Sequence, residues 1–182
     1  MTDTPRKISV ATCSLAGCFG CHMSFLDIDE RIVALVDKVS FDRTPLTDIH
    51  TLHACDIGLV EGGLCNEENV HVVRNFRQKC KILVAVGACA INGGVPAMRN
   101  RYGLAECLEE SYLYGVGVAD AQIPSDPELP LLLNQVHPIQ DAVKVDYFLT
   151  GCPPPADAFL ELLTALLENR APQMTYALRH FD

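Results

Sequence analysis

The sequence is poor in basic residues. Its 14 lysines and arginines stand against 23 aspartates and glutamates, which gives a net charge of −9 at pH 7. Nucleic acids and anionic membrane surfaces attract proteins through clustered positive charge. No basic run longer than the Arg6-Lys7 pair occurs along this chain. We therefore expect neither a nucleic acid nor a membrane surface as a partner.

Long apolar runs are also absent. A helix that crosses a bilayer needs roughly 20 consecutive apolar residues, and no stretch of this chain approaches that length. The first ten residues contain no apolar segment of the kind that an export signal carries. Strand-like sequence follows Arg6-Lys7 directly. The sequence thus predicts a cytoplasmic protein that begins at its fold.

The residues that are present suffice for one domain. A chain of 182 residues with 49% hydrophobic composition can bury one substantial core. Strand patterns alternate with helix patterns from residue 7 to residue 169, which predicts a single α/β domain over residues 1–182. We expect a flavodoxin-like three-layer sandwich with a mainly parallel sheet. The predicted strands are 7–12, 39–42, 56–63, 82–86 and 145–149, and the predicted helices begin near Ser24, Asn66, Leu104 and Ala156.

Three segments depart from this regular alternation. The first helix is expected to break near Asp29, and a turn-rich loop is expected from Ile91 to Pro96. Residues 119–137 contain three prolines, which disfavour regular structure. We expect this segment to form an irregular connection enclosing a short apolar turn at residues 131–133.

Nine cysteines stand out in a chain of this kind. Disulfide scaffolds belong to small secreted domains, and an odd count leaves one thiol unpaired. Cys18 and Cys21 form a Cys-x-x-Cys motif after the first strand, while Cys89 and Cys152 each follow a later strand. Ligands bind at the edge that the carboxyl ends of parallel strands share. The sequence therefore predicts that these four thiols converge on one edge.

A Cys-x-x-Cys motif alone serves zinc sites, iron–sulfur sites and redox-active pairs. A zinc site usually adds a second such motif or a histidine pair, and this chain has neither. A thioredoxin-type pair would sit at a helix start and leave Cys89 and Cys152 unused. Four thiolates from three loops suit a cubane iron–sulfur cluster. A zinc-stabilised interaction module and an FMN-binding flavodoxin-like protein remain alternatives, although no Ser/Thr-rich phosphate loop follows the first strand.

The other five cysteines divide by position along the chain. Cys55 and Cys80 lie at the starts of predicted strands, so we expect them at the opposite edge as structural residues. Cys107 lies within a predicted helix. Cys13 and Cys65 are nearer the proposed site, where small buried thiols are common, although either could substitute for a ligand.

Four motifs occur in a fixed order along the chain. They are Gly17-Cys18-Phe19-Gly20-Cys21-His22-Met23-Ser24-Phe25-Leu26-Asp27, Val60-Glu61-Gly62, Val86-Gly87-Ala88-Cys89 and Gly151-Cys152-Pro153-Pro154. In content and order they resemble the small subunits of nickel–iron hydrogenases, above all the soluble, cytoplasmic, bidirectional NAD(P)-linked kind. The resemblance covers residue 8 to about 168, whereas the related quinone-reductase subunit of respiratory complex I has adjacent cysteines at the first motif.

The resemblance implies a function and a set of site residues. It implies that one 4Fe–4S cluster is bound by Cys18, Cys21, Cys89 and Cys152, with Glu61 beside the cluster. His22 is a candidate proton carrier or tuning donor, although an interface hydrogen bond is the simpler role. A second cofactor, FMN, has no support in the sequence.

The resemblance also implies partners. The chain would relay electrons between a nickel–iron large subunit, which holds the H₂-activating site, and flavin- and iron–sulfur-containing NAD diaphorase subunits. No C-terminal domain for a second cluster is expected. An iron–sulfur subunit of a related F420- or quinone-linked oxidoreductase is the alternative within the same superfamily.

Overall fold

A computed structural model describes residues 6–179 of the chain. Residues 1–5 and 180–182 lie outside the described residues. The sequence-based expectations for these residues concern the start of the chain and the ends of the 1–182 domain. The strands are β1 Ile8–Ser14, β2 Val39–Phe41, β3 Cys55–Glu61, β4 Leu64–Asn66, β5 Cys80–Val86, β6 Leu132–His137 and β7 Tyr147–Leu149. The helices are α1 Gly20–Leu26, α2 Ile32–Val36, α3 Glu67–Lys79, α4 Gly87–Asn92, α5 Leu104–Tyr112 and α6 Ala156–Leu167.

Five of the strands form one parallel sheet in the order β2-β1-β3-β5-β7. The three inner strands are apolar on both faces, as expected of a parallel sheet covered by helices on each side. On one face, Val84 and Val86 pack in a cluster with Phe159 of α6. On the other face, Leu83 and Ala85 pack in a cluster with Phe76 of α3. The predicted α/β sandwich with a mainly parallel sheet is confirmed.

A second, two-stranded sheet corrects one sequence-based expectation. Residues 132–137, predicted to lie in an irregular connection, form β6, which pairs antiparallel with β4. Val136 alone among the β6 residues is fully buried, so no alternating apolar pattern marks this strand in the sequence. Pro130 lies just before β6 and Pro138 directly after it, so the prolines flank this strand and do not interrupt it.

Two more corrections concern the segments that carry cysteines. Helix α1 begins at Gly20, four residues before the predicted start at Ser24, because Phe19 turns the chain with a φ of 66° and no side-chain cap marks the start. Cys89, predicted to lie in a loop, is part of α4. The predicted break near Asp29 is confirmed, since Asp29 has a φ of 61° and opens a short 3₁₀ helix.

Among the described residues, no helix combines the length and the apolar character needed to cross a membrane.

Candidate metal centre at the carboxyl edge of the sheet

The four cysteines singled out by the sequence lie at one edge of the sheet. Cys18 precedes α1 and Cys21 lies in its first turn, directly after β1. Cys89 is the third residue of α4, directly after β5, and Cys152 follows β7. Strand β3 lies between β1 and β5. The three loops therefore gather around the carboxyl end of β3, where Glu61 is the last strand residue.

The thiols are close enough to affect one another's ionisation. Burial is the largest effect and raises the pKa of Cys21 well above its ordinary range, and the Cys89 and Cys18 thiolates add to the shift. Burial also raises the pKa of Cys89, with further contributions from Cys152 and Cys18. Every one of the four is thus within electrostatic reach of at least one other. Bound iron would reverse these shifts, because a cation stabilises the thiolate.

Glycines leave the space that these sulfurs occupy. A Cβ atom on Gly87 would collide with Sγ of Cys21, and one on Gly94 would lie 2.8 Å from Sγ of Cys89. Both glycines have positive φ, which side chains rarely adopt. The backbone therefore approaches the sulfurs more closely than any other residue type would permit.

Hydrogen bonds connect the loops that carry the thiols. The amide of Ala88 donates to the carbonyl of Gly151 at 2.8 Å, which joins the Cys89 segment to the Cys152 segment. The hydroxyl of Ser24 donates to the carbonyl of Pro154 at 2.5 Å and joins α1 to the same segment. The relative positions of the loops are thus set by backbone contacts as well as by packing.

Exposure differs among the four thiols. Cys21 and Cys89 are half-buried, whereas Cys18 and Cys152 are exposed. A group held between them would be shielded by the protein on one side and reachable by another protein on the other. The described residues contain no set of three or more His, Cys, Asp or Glu side chains gathered tightly enough to hold a single metal ion. The four thiols therefore share one edge of the sheet without forming a compact site for a single ion.

Glu61 lies beneath this group of thiols and is only 3% exposed. Its Oε2 atom accepts a hydrogen bond of 3.0 Å from the backbone amide of His22. Burial acts to raise the pKa of Glu61, but donors from His22 and Ser14 outweigh it and leave that pKa below its ordinary value. The carboxylate is therefore charged near neutral pH, and its charge contributes to the raised pKa of Cys21.

His22 continues the buried polar group inward. Its Nδ1 atom lies 3.1 Å from Oε1 of Glu61, although poor alignment leaves both atoms without a hydrogen-bond partner among the described residues. Its Nε2 atom lies 2.8 Å from Oγ1 of Thr12, which lies 2.7 Å from Oγ1 of Thr44. All four side chains are at most 5% exposed.

A chain of hydrogen bonds runs from the His22 ring into the core. Nε2 of His22 pairs with the Thr12 hydroxyl, which pairs with the Thr44 hydroxyl. The amide of Leu46 donates to Thr44 at 3.3 Å and completes the chain.

Several expectations about single residues need revision. His22 is 5% exposed, so its ring is part of the core and is not available for an interface hydrogen bond. The sequence argument against a thioredoxin-type pair was partly wrong, because Cys21 does lie at a helix start. The proximity of Cys89 and Cys152 still separates this site from a simple thiol pair.

Other residues of the site were not found from the sequence. Thr12 and Thr44 were missed, although a threonine inside an otherwise apolar strand is a usable signal. The amide of Val95 donates to the sulfur of Cys89 and acts to lower its pKa, and no pattern in the sequence indicates that donor. Cys55 and Cys80 lie at the opposite edge, as expected.

The segment that contains the site residues matches a known protein family. The chain belongs to the family described as NADH ubiquinone oxidoreductase, 20 kDa subunit, whose model matches residues 18–166. The match begins at Cys18 and includes all four cysteines of the edge.

Within this family the most informative relatives are hydrogenase subunits. The chain is 45% identical over 180 residues to the delta subunit of the NAD-reducing hydrogenase HoxS of Cupriavidus necator, which covers 97% of this chain and 86% of the relative. It is 36% identical to a subunit of an F420-non-reducing hydrogenase of Methanococcus voltae, over 92% of this chain but only 59% of that longer relative.

A solved structure gives the same indication. A chain in the crystal structure of an NAD⁺-reducing [NiFe]-hydrogenase in the H₂-reduced state superposes with a TM-score of 0.95 at 54% identity. The match covers 97% of this chain and 100% of that one. The resemblance to nickel–iron hydrogenase small subunits, inferred from the sequence motifs, is confirmed.

Proposed function

We propose that this chain is the electron-relay small subunit of an NAD-reducing nickel–iron hydrogenase, and that Cys18, Cys21, Cys89 and Cys152 bind one 4Fe–4S cluster. The observation that carries the proposal is the gathering of these four thiols from three loops at the carboxyl edge of the sheet. The convergence of the four thiols and the glycines beside Cys21 and Cys89 fit such a group.

The cluster, when bound, would accept and release one electron at a time. The residues of this chain would hold it, keep water from its inner side and tune it. Cys21 and Cys89 form the buried side, and the amide of Val95 donates to the Cys89 sulfur. Hydrogen bonds to sulfur and nearby charge set the potential of such groups. Glu61 supplies one such charge.

The exposed position of Cys18 and Cys152 supports a role between proteins. A large subunit with the nickel–iron site would face this edge and deliver two electrons per H₂ in single steps. Subunits with flavin and iron–sulfur groups would pass them to NAD⁺, which takes two electrons and a proton. We infer that H₂ chemistry takes place on the partner and that the complex is cytoplasmic.

Anaerobic purification of the native complex tests this function. We expect a brown preparation with about four iron atoms per copy of this chain in excess of the iron assigned to the other subunits. A nickel-containing large subunit and a flavoprotein should co-purify with it. The chain expressed alone gives the matched measurement, and there we expect iron and an electron paramagnetic resonance signal after reduction. A colourless chain that holds zinc, or a yellow iron-free one, would overturn the assignment.

A further inference from the structure

Two thiols that the proposed relay does not use face each other at the amino edge of the sheet. Cys55 opens β3, Cys80 opens β5, and the two residues are in register in this parallel pair. Both belong to the same core cluster, so their side chains lie on the same face. Glu61 lies six positions after Cys55 on β3, which amounts to about 20 Å at the usual rise of a strand.

The strand pairing places the two Cα atoms within the range of separations that a disulfide joins. Neighbouring strands lie about 4.8 Å apart, and disulfides join Cα atoms separated by about 4.4 to 6.8 Å. Residues in register on adjacent strands therefore satisfy this distance without backbone movement. The two thiols are 2% and 3% exposed, and their neighbours in sequence, Asp56 and Lys81, lie towards the surface.

Space for one of the thiols is provided by a glycine. A Cβ atom on Gly58 would lie 2.7 Å from Sγ of Cys80 and 3.2 Å from its Cβ. The side chain of Cys80 thus occupies the place of a missing side chain on β3.

The two sulfurs also differ chemically. The neighbouring Cys80 side chain lowers the pKa of Cys55, against the effect of burial. The same interaction, together with burial, raises the pKa of Cys80. Sγ of Cys55 also lies 3.1 Å from the carbonyl oxygens of Ser9 and Ile57, to which its thiol donates, so Cys55 loses this proton before it reacts as a thiolate. Thiolates are the form of cysteine that reacts with peroxides.

We propose that Cys55 and Cys80 form a reversible disulfide across β3 and β5 when the protein meets a peroxide. The Cys55 thiolate attacks one peroxide oxygen, which breaks the O–O bond and gives a sulfenic acid; the departing oxygen takes up a proton and leaves as water. The Cys80 sulfur then attacks the sulfenic sulfur and releases a second water. Two thiols thus supply the two electrons that convert H₂O₂ into two waters, and a small dithiol reverses the reaction.

The bond would join two strands whose far ends carry Glu61 and Gly87 of the metal centre. It would leave the four thiols at the carboxyl edge unmodified. Its effect is to hold the strand pair together under oxidation, which is a role separate from the electron relay.

Peptide mapping of the native complex tests this proposal. The complex is treated with increasing H₂O₂, quenched in acid, unfolded, alkylated and digested without reductant. We expect a peptide pair linked through Cys55 and Cys80, which disappears after treatment with dithiothreitol. Recovery of both residues in alkylated form at a peroxide dose that oxidises Cys107 would overturn it, as would a dominant link from either residue to Cys13.

Single-cysteine variants test the same disulfide. Cys80→Ala should abolish the linked peptide and leave Cys55 as a sulfenic acid that dimedone labels. Cys107→Ala should leave the link unchanged. In the wild type, the midpoint of thermal unfolding should rise after oxidation and return after reduction, and Cys55→Ala should show no such difference.

Discussion

At the scale of single residues, His22 connects the metal centre to the core. Its backbone amide and its ring both face Glu61, and its other ring nitrogen faces Thr12. The ring of Phe19 stacks on it with 4.6 Å between centroids. The His22 side chain is thus contacted from three directions. We expect these contacts to fix the orientation of Glu61 beneath Cys21.

The Thr12→Val variant tests this dependence. Valine has a similar shape but lacks the hydroxyl, so it leaves Nε2 of His22 buried and unpaired and removes one of the two partners of the Thr44 hydroxyl. We expect a loss of about 1–3 kcal/mol in the free energy of unfolding. We also expect a changed midpoint potential of the cluster, measured by redox titration with electron paramagnetic resonance. Thr12→Ser, which keeps the donor, should restore the potential; a Thr12→Val variant with the wild-type potential would contradict the role of this chain of hydroxyls.

The Cys89→Ser variant tests the ligand set. Replacing the thiolate removes a ligand from the half-buried side, so we expect loss of bound iron and of H₂-dependent NAD⁺ reduction by the complex. Cys107→Ser is the matched control, because Cys107 is also half-buried but lies on α5, away from the edge. Equal iron loss in the two variants would contradict the assignment of Cys89.

At the scale of elements, the contact between β3 and β5 is the centre of the sheet. Six residues of each strand are paired in register. Glu61 of the metal centre ends β3, and Gly87 directly follows the end of β5. Gly58 lies in the middle of β3, where its missing side chain accommodates Cys80 and a methyl group of Leu83. A glycine inside a strand usually marks such a close approach.

Gly58→Ala should therefore destabilise the protein. The added Cβ would lie 2.7 Å from Sγ of Cys80, and overpacking of this kind costs about 1–3 kcal/mol of unfolding free energy. Urea denaturation measures the effect. Gly103→Ala is the control, since nothing lies within 4 Å of the added Cβ, and it should change stability by less than about 0.5 kcal/mol.

A double variant identifies the cause of the Gly58 effect. Cys80→Ala removes the sulfur that meets the new methyl group. Gly58→Ala should then cost less in the Cys80→Ala background than in the wild type, with a coupling of about 1 kcal/mol. Equal costs in both backgrounds would show that the close contact with Cys80 is not the reason.

The elements also show what the sequence could predict. The inner strands were found because both of their faces are buried, which leaves continuous apolar runs such as residues 82–86. Strand β6 was missed because it is short, lies mostly at the surface and follows a proline-rich segment. The start of α1 was missed because the left-handed turn at Phe19 has no sequence signal.

Some residues of the metal centre could be predicted from the sequence and others could not. The four cysteines could be found, because their place after strands follows from the chain itself. The Val95 donor and the Thr12–Thr44 pair depend on how distant segments pack, and one sequence does not state that packing. Glu61 and His22 were named as site residues from motifs, but their mutual contact and their burial needed coordinates.

At the scale of the whole molecule, the two edges of the central sheet differ in their residues. The carboxyl edge carries the four cysteines of the metal centre, and the amino edge carries ionic contacts that join three strands. Asp56 of β3 accepts hydrogen bonds from the amide and hydroxyl of Ser9 on β1 and from Lys81 on β5. Arg6 adds a further contact at 3.0 Å. The four cysteines of the metal centre and the ionic contacts of Asp56 are thus about one strand length apart.

This anchoring gives the whole domain a defined acid sensitivity. Burial acts to raise the pKa of Asp56, but Lys81, Ser9 and Arg6 outweigh it and lower that pKa to about 2. Because the pKa in the folded state lies below the value in the unfolded chain, the carboxylate stabilises the fold above about pH 4. That contribution is lost as the pH falls from about 5 towards 2.

Asp56→Asn should reveal this contribution. The side chain is 16% exposed, so solvent screens it only in part, and the shift corresponds to about 2 kcal/mol of unfolding free energy at pH 7. Urea denaturation of the single chain at pH 7 and pH 3 measures it, with exposed Asp48→Asn as the control. The variant should be less stable than the wild type at pH 7, and the gap should narrow at pH 3, since the wild-type carboxylate is then closer to protonation. A gap that is constant with pH would mean that the charge of Asp56 contributes nothing and that only its hydrogen-bonding shape matters.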